Sequence, residues 1–190
     1  MPYLYYDSYY LMLVLPAVLI AMAAQIMVKT TFRRYASVFS RRGQTAAQVA
    51  RRILDDNGLQ AVRLERVSGD LTDHYDPKAN VIRLSDSVYN SASVASIGVA
   101  AHEAGHAVQH AVGYVPIKLR NAVLPVANIG SAAAMPIIVI GLLLSFEPLV
   151  SIGILLFSAL VLFQLITLPV EFNASRRALA TLRDSRILEG

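Results

Sequence analysis

Two histidines and a glutamate near the middle of the chain carry the clearest chemical signal. His102, Glu103 and His106 form the pattern H-E-x-x-H in a stretch rich in small apolar residues. On a helix this spacing places both imidazoles on one face, roughly 6 Å apart along the axis. Both rings can then reach one zinc ion, which binds imidazole nitrogen at about 2.0–2.1 Å. The carboxylate of Glu103 is left free to take a proton from the water that such an ion activates.

The other two histidines of the chain are weaker candidates for a third ligand. His110 lies on the same helix face eight residues after His102, about 12 Å along the axis, which is too far to share one ion. His74 lies on a predicted edge strand and could reach the site. It is a candidate catalytic residue, as a hydrogen-bond donor to the substrate or the transition state, and an ordinary surface histidine is the alternative.

A carboxylate is the remaining choice, because the chain contains no cysteine. Glu171 stands out because it directly follows a long apolar segment, where an ionisable side chain is usually paired or functional. With His102 and His106 it would give two imidazoles, one carboxylate and an open fourth position, the arrangement of a catalytic zinc. The alternative is a carboxylate that marks the membrane boundary.

The composition indicates a membrane protein with a small polar part. Hydrophobic residues make up 55% of the 190 residues and charged residues only 16%, below the usual quarter. The mean hydropathy is +0.50. The net charge of +4 could suggest nucleic acid as a partner. The basic residues cluster beside apolar segments instead, so membrane topology is the better explanation, and we expect no nucleic-acid binding.

Three segments are long and apolar enough to cross a bilayer, since about 20 residues span its hydrocarbon core. Residues 11–28 carry no charge. Between residues 121 and 170 the only charged side chain is that of Glu147, which divides this region into spans at about 122–144 and 149–169. The sequence therefore predicts one N-terminal span and a later transmembrane hairpin.

The basic residues predict the orientation of these spans. They begin at Lys29, directly after the first span, and flank the hairpin on both sides. By the positive-inside rule the polar segments are cytoplasmic. A cleaved signal peptide is the alternative for the first span, but it would normally begin with basic residues. The predicted units are a transmembrane anchor at 1–28, a cytoplasmic α+β unit at 29–121, a transmembrane hairpin at 122–169 and a cytoplasmic helix at 170–190.

The polar unit alternates between helical and strand-like patterns. An amphipathic helix capped by Thr45 is predicted at 45–57, and the helix with the H-E-x-x-H pattern at about 91–112, capped by Ser91 or Ser93 and closed by Gly113 and Pro116. Between them lie three short strand-like runs, at 61–67, 71–75 and 81–84. We therefore expect a small α+β fold attached to three transmembrane helices.

Three segments also resemble a known family. They are Thr-Asp-His-Tyr-Asp-Pro (72–77), Val-Ala-Ala-His-Glu-Ala-Gly-His-Ala-Val-Gln (99–109) and Leu-Pro-Val-Glu-Phe-Asn-Ala-Ser-Arg-Arg-Ala (168–178). The sequence resembles the YugP-type neutral zinc metallopeptidases of bacterial membranes, and more distantly the membrane gluzincins of the HtpX and CAAX-prenyl type. The resemblance implies a gluzincin-like zinc endopeptidase with His102, His106 and Glu171 as ligands and Glu103 as the catalytic base.

One position departs from the HtpX-type pattern. That pattern has an aspartate four residues after the glutamate ligand, whereas this chain has Ser175 four residues after Glu171. The hydrogen bond that orients a ligand histidine must then come from Ser175, Asn173 or another residue.

We therefore expect a membrane-bound zinc endopeptidase that cleaves proteins or peptides, including membrane proteins, at the cytoplasmic surface of a bacterial plasma membrane. An intramembrane site-2-type protease is one alternative, but that class takes a third ligand from an aspartate in a late transmembrane segment. The apolar segments of this chain contain no aspartate. A catalytically inactive membrane scaffold with a zinc site is the other alternative, and an intact Glu103 argues against it.

Overall fold

The computed structural model describes residues 8–185 and 187, so residues 1–7, 186 and 188–190 of the predicted terminal units lie outside the described part. The described chain is mostly helical, with one three-stranded sheet. The elements in chain order are α1 (Ser8–Ala36), α2 (Ala46–Asp56), β1 (Arg63–Val67), β2 (His74–Asp76), β3 (Val81–Ser85), α3 (Asp86–Tyr89), α4 (Val94–Ala111), α5 (Val115–Leu143) and α6 (Glu147–Asp184).

Three helices, α1, α5 and α6, are long and apolar enough to cross a membrane, and the three predicted spans lie within them. Two boundaries differ from the prediction. Pro116 lies in the first turn of α5 instead of closing α4, because proline has no N–H to lose at a helix start. Helix α6 runs through Pro169 without a break, so the third span and the helix predicted after it are one element.

The two helices of the hairpin, α5 and α6, pack closely against each other. Gly153 of α6 faces Ile138 and the backbone of α5, and a Cβ added there would lie 3.0 Å from the carbonyl oxygen of Ala134. Small residues let helix backbones approach in this way inside a bilayer, where van der Waals packing drives association. The hairpin is thus a firmly packed support for the far end of α6.

The sheet has the strand order β1-β3-β2, with β1 parallel and β2 antiparallel to β3. Strand β2 is therefore an edge strand, as predicted for His74. It starts later than predicted, since Leu71 has φ of 56°, which is incompatible with an extended strand. Arg83 of β3 contacts carboxylates on both neighbours, Asp76 of β2 at 3.0 Å and Glu65 of β1 at 3.3 Å.

The core of the polar unit lies between α2 and α4. Thr45 and Gln48 form a capping box at the start of α2, which satisfies two free backbone N–H groups. The buried face of α2, including Ile53 and Leu54, belongs to one cluster with small residues of α4 such as Ala100 and Ala104. Since this face of α4 is used for the core, its neighbouring face is directed at β2 and α6.

Candidate metal centre and active site

Helices α4 and α6 bring three candidate ligands together. The Nε2 atoms of His102 and His106 are 3.1 Å apart. The Oε2 atom of Glu171 lies 3.2 Å from Nε2 of His102 and 3.5 Å from Nε2 of His106. These three side chains, the ones expected as zinc ligands, form a group that could hold a metal ion.

Each imidazole is oriented by a second contact at Nδ1. The Oγ of Ser175 lies 3.2 Å from Nδ1 of His102, and Oε1 of Gln109 lies 3.0 Å from Nδ1 of His106. The amide nitrogen of Gln109 donates to the carbonyl oxygen of Val170 at 2.8 Å and to Oδ1 of Asn173 at 3.0 Å. Because these contacts fix the amide, Oε1 must accept the Nδ1–H of His106, which leaves Nε2 unprotonated in the neutral ring.

The donor atoms fit a zinc ion. Metal–ligand distances of about 2.0–2.1 Å in a tetrahedron place the ligand atoms roughly 3.3 Å apart. The observed separations of 3.1, 3.2 and 3.5 Å lie around that value. With neutral rings, all three atoms offer lone pairs to the same point, an arrangement that a cation stabilises. Burial alone lowers the pKa of His106, but the carboxylates of Glu171 and Glu103 outweigh it and raise the pKa.

A glycine permits the close approach of α4 and α6 that forms this group. Gly105 precedes His106, and a Cβ built on it would lie 2.9 Å from the carbonyl oxygen of Ala174 on α6. A side chain at this position would push the two backbones apart. Because Glu171 lies one turn before Ala174, that shift would also move the carboxylate away from the imidazoles.

Glu103 lies beside the histidines and is 9% exposed. Burial raises the pKa of its carboxyl group, while His106, His102 and the backbone N–H of Tyr75 on β2 partly offset this effect. A raised carboxyl pKa is typical of a group that accepts and returns a proton near neutral pH. Tyr75 of the edge strand lies close to this carboxylate, since α4 and β2 pack together and both residues line one cavity.

A cavity of about 650 Å³ opens in front of these groups. His74 lines it, with Nδ1 2.8 Å from the carbonyl oxygen of Thr72 and Nε2 3.4 Å from the guanidinium of Arg83. His110 lines it too, with its ring edge-on to Tyr75 at 6.0 Å between centroids. Both histidines are therefore on the wall of the cavity and outside the ligand group.

Two residues at the site were missed by the sequence reading. Gln109 is completely buried, and its position three residues after His106 on the same helix face is the signal that could have identified it. Arg120 is one of the basic residues that precede the hairpin and were interpreted only as topology signals, yet it lines the cavity. Within the described part of the chain, its buried Nε is without a hydrogen-bond partner. No feature of the sequence predicts that Arg120 lines the cavity, because its position there depends on where α5 begins.

Comparisons with known proteins agree with the chemistry of the site. Residues 10–190 match the family described as "Putative neutral zinc metallopeptidase". The chain is also 49% identical over 169 residues to "Putative membrane protease YugP" of Bacillus subtilis (strain 168), covering 89% of this chain and 75% of that protein. No solved structure matches the sequence. The matched range includes every residue of the candidate site.

Proposed function

Since the chain belongs to the family of putative neutral zinc metallopeptidases, we propose that it is a membrane-bound zinc endopeptidase that cleaves protein or peptide substrates. The observation that carries this proposal is the convergence of His102, His106 and Glu171 at ligand distances, beside the buried carboxylate of Glu103 and an open cavity. A structural zinc site would need a fourth ligand and no neighbouring base.

In the proposed mechanism His102, His106 and Glu171 hold the metal. Bound zinc would supply a Lewis acid that activates water and polarises the carbonyl group of the peptide. A carboxylate oxygen of Glu103 accepts the proton of the attacking water and then gives it to the leaving amine. Burial of Glu103 suits both steps, because the raised pKa makes its protonated form easier to reach than that of an ordinary carboxyl group.

The substrate would lie along β2. This strand is at the edge of the sheet, so its outer N–H and C=O groups can pair with an extended peptide. Tyr75 of this strand and Glu103 line the same cavity, which would place the scissile bond near the base. His74 and Arg120, both on the cavity wall, are the candidate donors to the substrate carbonyl.

We further propose that the site faces the cytoplasm of a bacterial plasma membrane. Basic residues follow the apolar part of α1, and others precede the apolar part of α5. Both groups are therefore at the ends of the spans that join the polar unit. This charge bias sets the orientation of membrane proteins. Glu147, at the other end of the hairpin, would then face the outside.

Replacement of the proposed base tests the function. In Glu103→Gln we expect full zinc occupancy and a loss of casein cleavage of about 10²- to 10⁴-fold, because the amide cannot accept the proton. Zinc is measured by atomic emission spectroscopy and cleavage by electrophoresis, with and without a chelator. Glu147→Gln, an exposed change at the far end of α6, is the control and should retain activity. Full cleavage by Glu103→Gln would contradict the mechanism.

A further inference from the structure

A second cavity, of about 910 Å³, lies on the opposite side of His102 and Glu103 from the first. It runs between the C-terminal part of α1 and the N-terminal half of α4, and we call it the α1–α4 groove. Its lining is mostly apolar and includes Met27, Val28, Phe32, Leu71, Val94 and Val99.

The α1–α4 groove is continuous with the candidate active site. His102, Glu103 and Glu171 line both cavities. An extended chain that crosses the metal centre would therefore enter the first cavity on one side and the groove on the other. The first cavity has the cationic side chains of Lys78 and Arg120 on its wall. The two sides of the site thus differ in chemistry.

Gly98 provides the space in the groove. It lies on α4 one turn before His102, on the same helix face, and lines the groove. A Cβ built on Gly98 meets nothing within 4 Å. This contrasts with Gly105 on the same helix, where a Cβ would meet the backbone of α6. The space over Gly98 is therefore open to a side chain from another molecule.

We propose that the α1–α4 groove binds a large apolar side chain of the substrate next to the scissile bond, and that Gly98 sets its size limit. This inference rests on the proposed function, because it takes the substrate to be a peptide. A peptide is favoured as occupant since three groups that line the groove are those proposed to act on the peptide bond. A lipid chain would place methylene groups against the charged carboxylates of Glu103 and Glu171.

The wall formed by α1 gives the groove a membrane-facing side. The most apolar stretch of α1 has no buried residue within the described chain. The apolar surface of α1 is therefore continuous from the part that would lie in the bilayer to the part that lines the groove. An apolar residue just outside a membrane segment of a substrate could reach the site along this wall. The preferred substrates are then peptides whose cleavage site carries a bulky apolar residue.

Binding of two matched inhibitors tests this proposal without turnover. The probes are peptide hydroxamates, identical except for phenylalanine or alanine at the residue beside the zinc-binding group, titrated by calorimetry into the zinc-loaded full chain in nanodiscs. Burial of the larger side chain should make the phenylalanine compound bind roughly 10- to 100-fold more tightly to the wild type. In Gly98→Leu, whose side chain occupies the open space over position 98, this preference should be lost while the zinc content is unchanged.

Ala111→Leu is the matched control, since Ala111 is an exposed residue of α4 that lines neither cavity. It should keep the wild-type preference. Equal affinities of the wild type for both compounds would overturn the groove assignment alone. A preference for the phenylalanine compound that survives in Gly98→Leu would overturn it as well. Failure of both compounds to bind the zinc-loaded protein would instead contradict the proposed function itself.

Discussion

At the scale of single residues, the two imidazoles depend on unlike supports. His106 is held by the completely buried amide of Gln109, which is itself fixed by two hydrogen bonds to α6. The Nδ1 atom of His102 contacts instead the hydroxyl of Ser175, at 3.2 Å and on the exposed side of α6. Because the amide of Gln109 is buried and already held by two hydrogen bonds, it loses little conformational freedom when His106 binds a metal. Its hydrogen bond to His106 is also weakened less by water. Gln109 should therefore matter more for metal affinity than Ser175.

This difference predicts the effect of Gln109→Leu. Loss of the acceptor for Nδ1–H should lower zinc affinity about 10- to 100-fold, as expected for a support of a metal ligand, and Ser175→Ala should cost less. Affinity is measured by competition with a chromophoric chelator, with Glu171→Ala as the variant that lacks a proposed ligand. Gln60→Leu, at an exposed position, is the control. Unchanged affinity in Gln109→Leu would show that His106 needs no such support.

The candidate ligands could be predicted from the sequence, but not all of their surroundings. His102 and His106 are one turn apart, so local helix geometry alone joins them. Glu171 lies 69 residues after His102, and its selection rested on the apolar hairpin that returns the chain and on a family resemblance. Ser175 was named beforehand as a support for a histidine. Gln109 was missed, because a buried glutamine looks like any polar residue until its neighbours are known.

At the scale of elements, the spacing between α4 and α6 controls the site. Gly105→Ala should separate the helices and destabilise the fold by about 1–3 kcal/mol, as overpacking does, with weaker zinc binding. Gly98→Ala, on the same helix and free of contacts, should be neutral or stabilising by up to about 1 kcal/mol. Chemical denaturation followed by circular dichroism measures both. Equal stability of the two variants would contradict the close approach.

Strand β2 depends on the carboxylate of Asp76. The backbone N–H of Ala79 and the guanidinium of Arg83 hold the pKa of Asp76 below its usual value. The folded state therefore favours the charged form of Asp76. The carboxylate contributes fully to stability above the ordinary aspartate pKa of about 4, and this contribution is lost as the pH falls through the lower pKa of the folded state.

The expected result is a pH-dependent difference between the wild type and Asp76→Asn. The variant should have a lower melting temperature at neutral pH, and the difference should shrink as the pH falls below about 4. Because Tyr75 of β2 lines the same cavity as Glu103, cleavage should decrease as well. Circular dichroism at matched pH values measures the melting temperatures, with the exposed change Asp70→Asn as a control. A difference that grows in acid would contradict this assignment.

The elements predicted best are those with local causes. The cap Thr45 was predicted, and Ser93 was one of two candidates for the cap of α4, because a capping side chain bonds within its own first turn. The start of β2 was wrong because the backbone at Leu71 depends on a turn that the alternating pattern does not reveal. Pro169 was treated as the end of a span, although proline is tolerated inside a membrane helix whose freed carbonyl can find other donors.

At the scale of the whole molecule, one helix joins the bilayer to the chemistry. The 38 residues of α6 extend over about 57 Å, whereas the hydrocarbon core is about 30 Å thick. Glu147 begins this helix, and Glu171 lies 24 residues later, about 36 Å along the axis. If Glu147 is at one surface, Glu171 therefore emerges at the other, beside α4. Anchoring and metal binding are in this sense carried by the same element.

This geometry makes the proposed topology testable by cysteine labelling, since the chain contains no cysteine and has no background signal. Ser145→Cys, in the turn between α5 and α6, should react with a membrane-impermeant maleimide in intact bacterial spheroplasts. Ser68→Cys, in the exposed turn after β1, should react only after permeabilisation. The reason is that α5 and α6 form a hairpin without basic residues between 121 and 170. The basic regions on both sides of it resist transfer across the membrane.

The two labelling patterns also separate the possible placements of the site. If both cysteines react in intact spheroplasts, the hairpin does not cross the bilayer, and Glu171 could not emerge opposite Glu147. If only Ser68→Cys reacts, the polar unit and its metal centre face the outside. Zinc content and casein cleavage of both variants, measured in detergent, establish that the labelled proteins are folded. A peptidase site at the cytoplasmic surface requires that Ser145→Cys reacts in intact spheroplasts and that Ser68→Cys does not. In that case the hairpin crosses the membrane outward and returns.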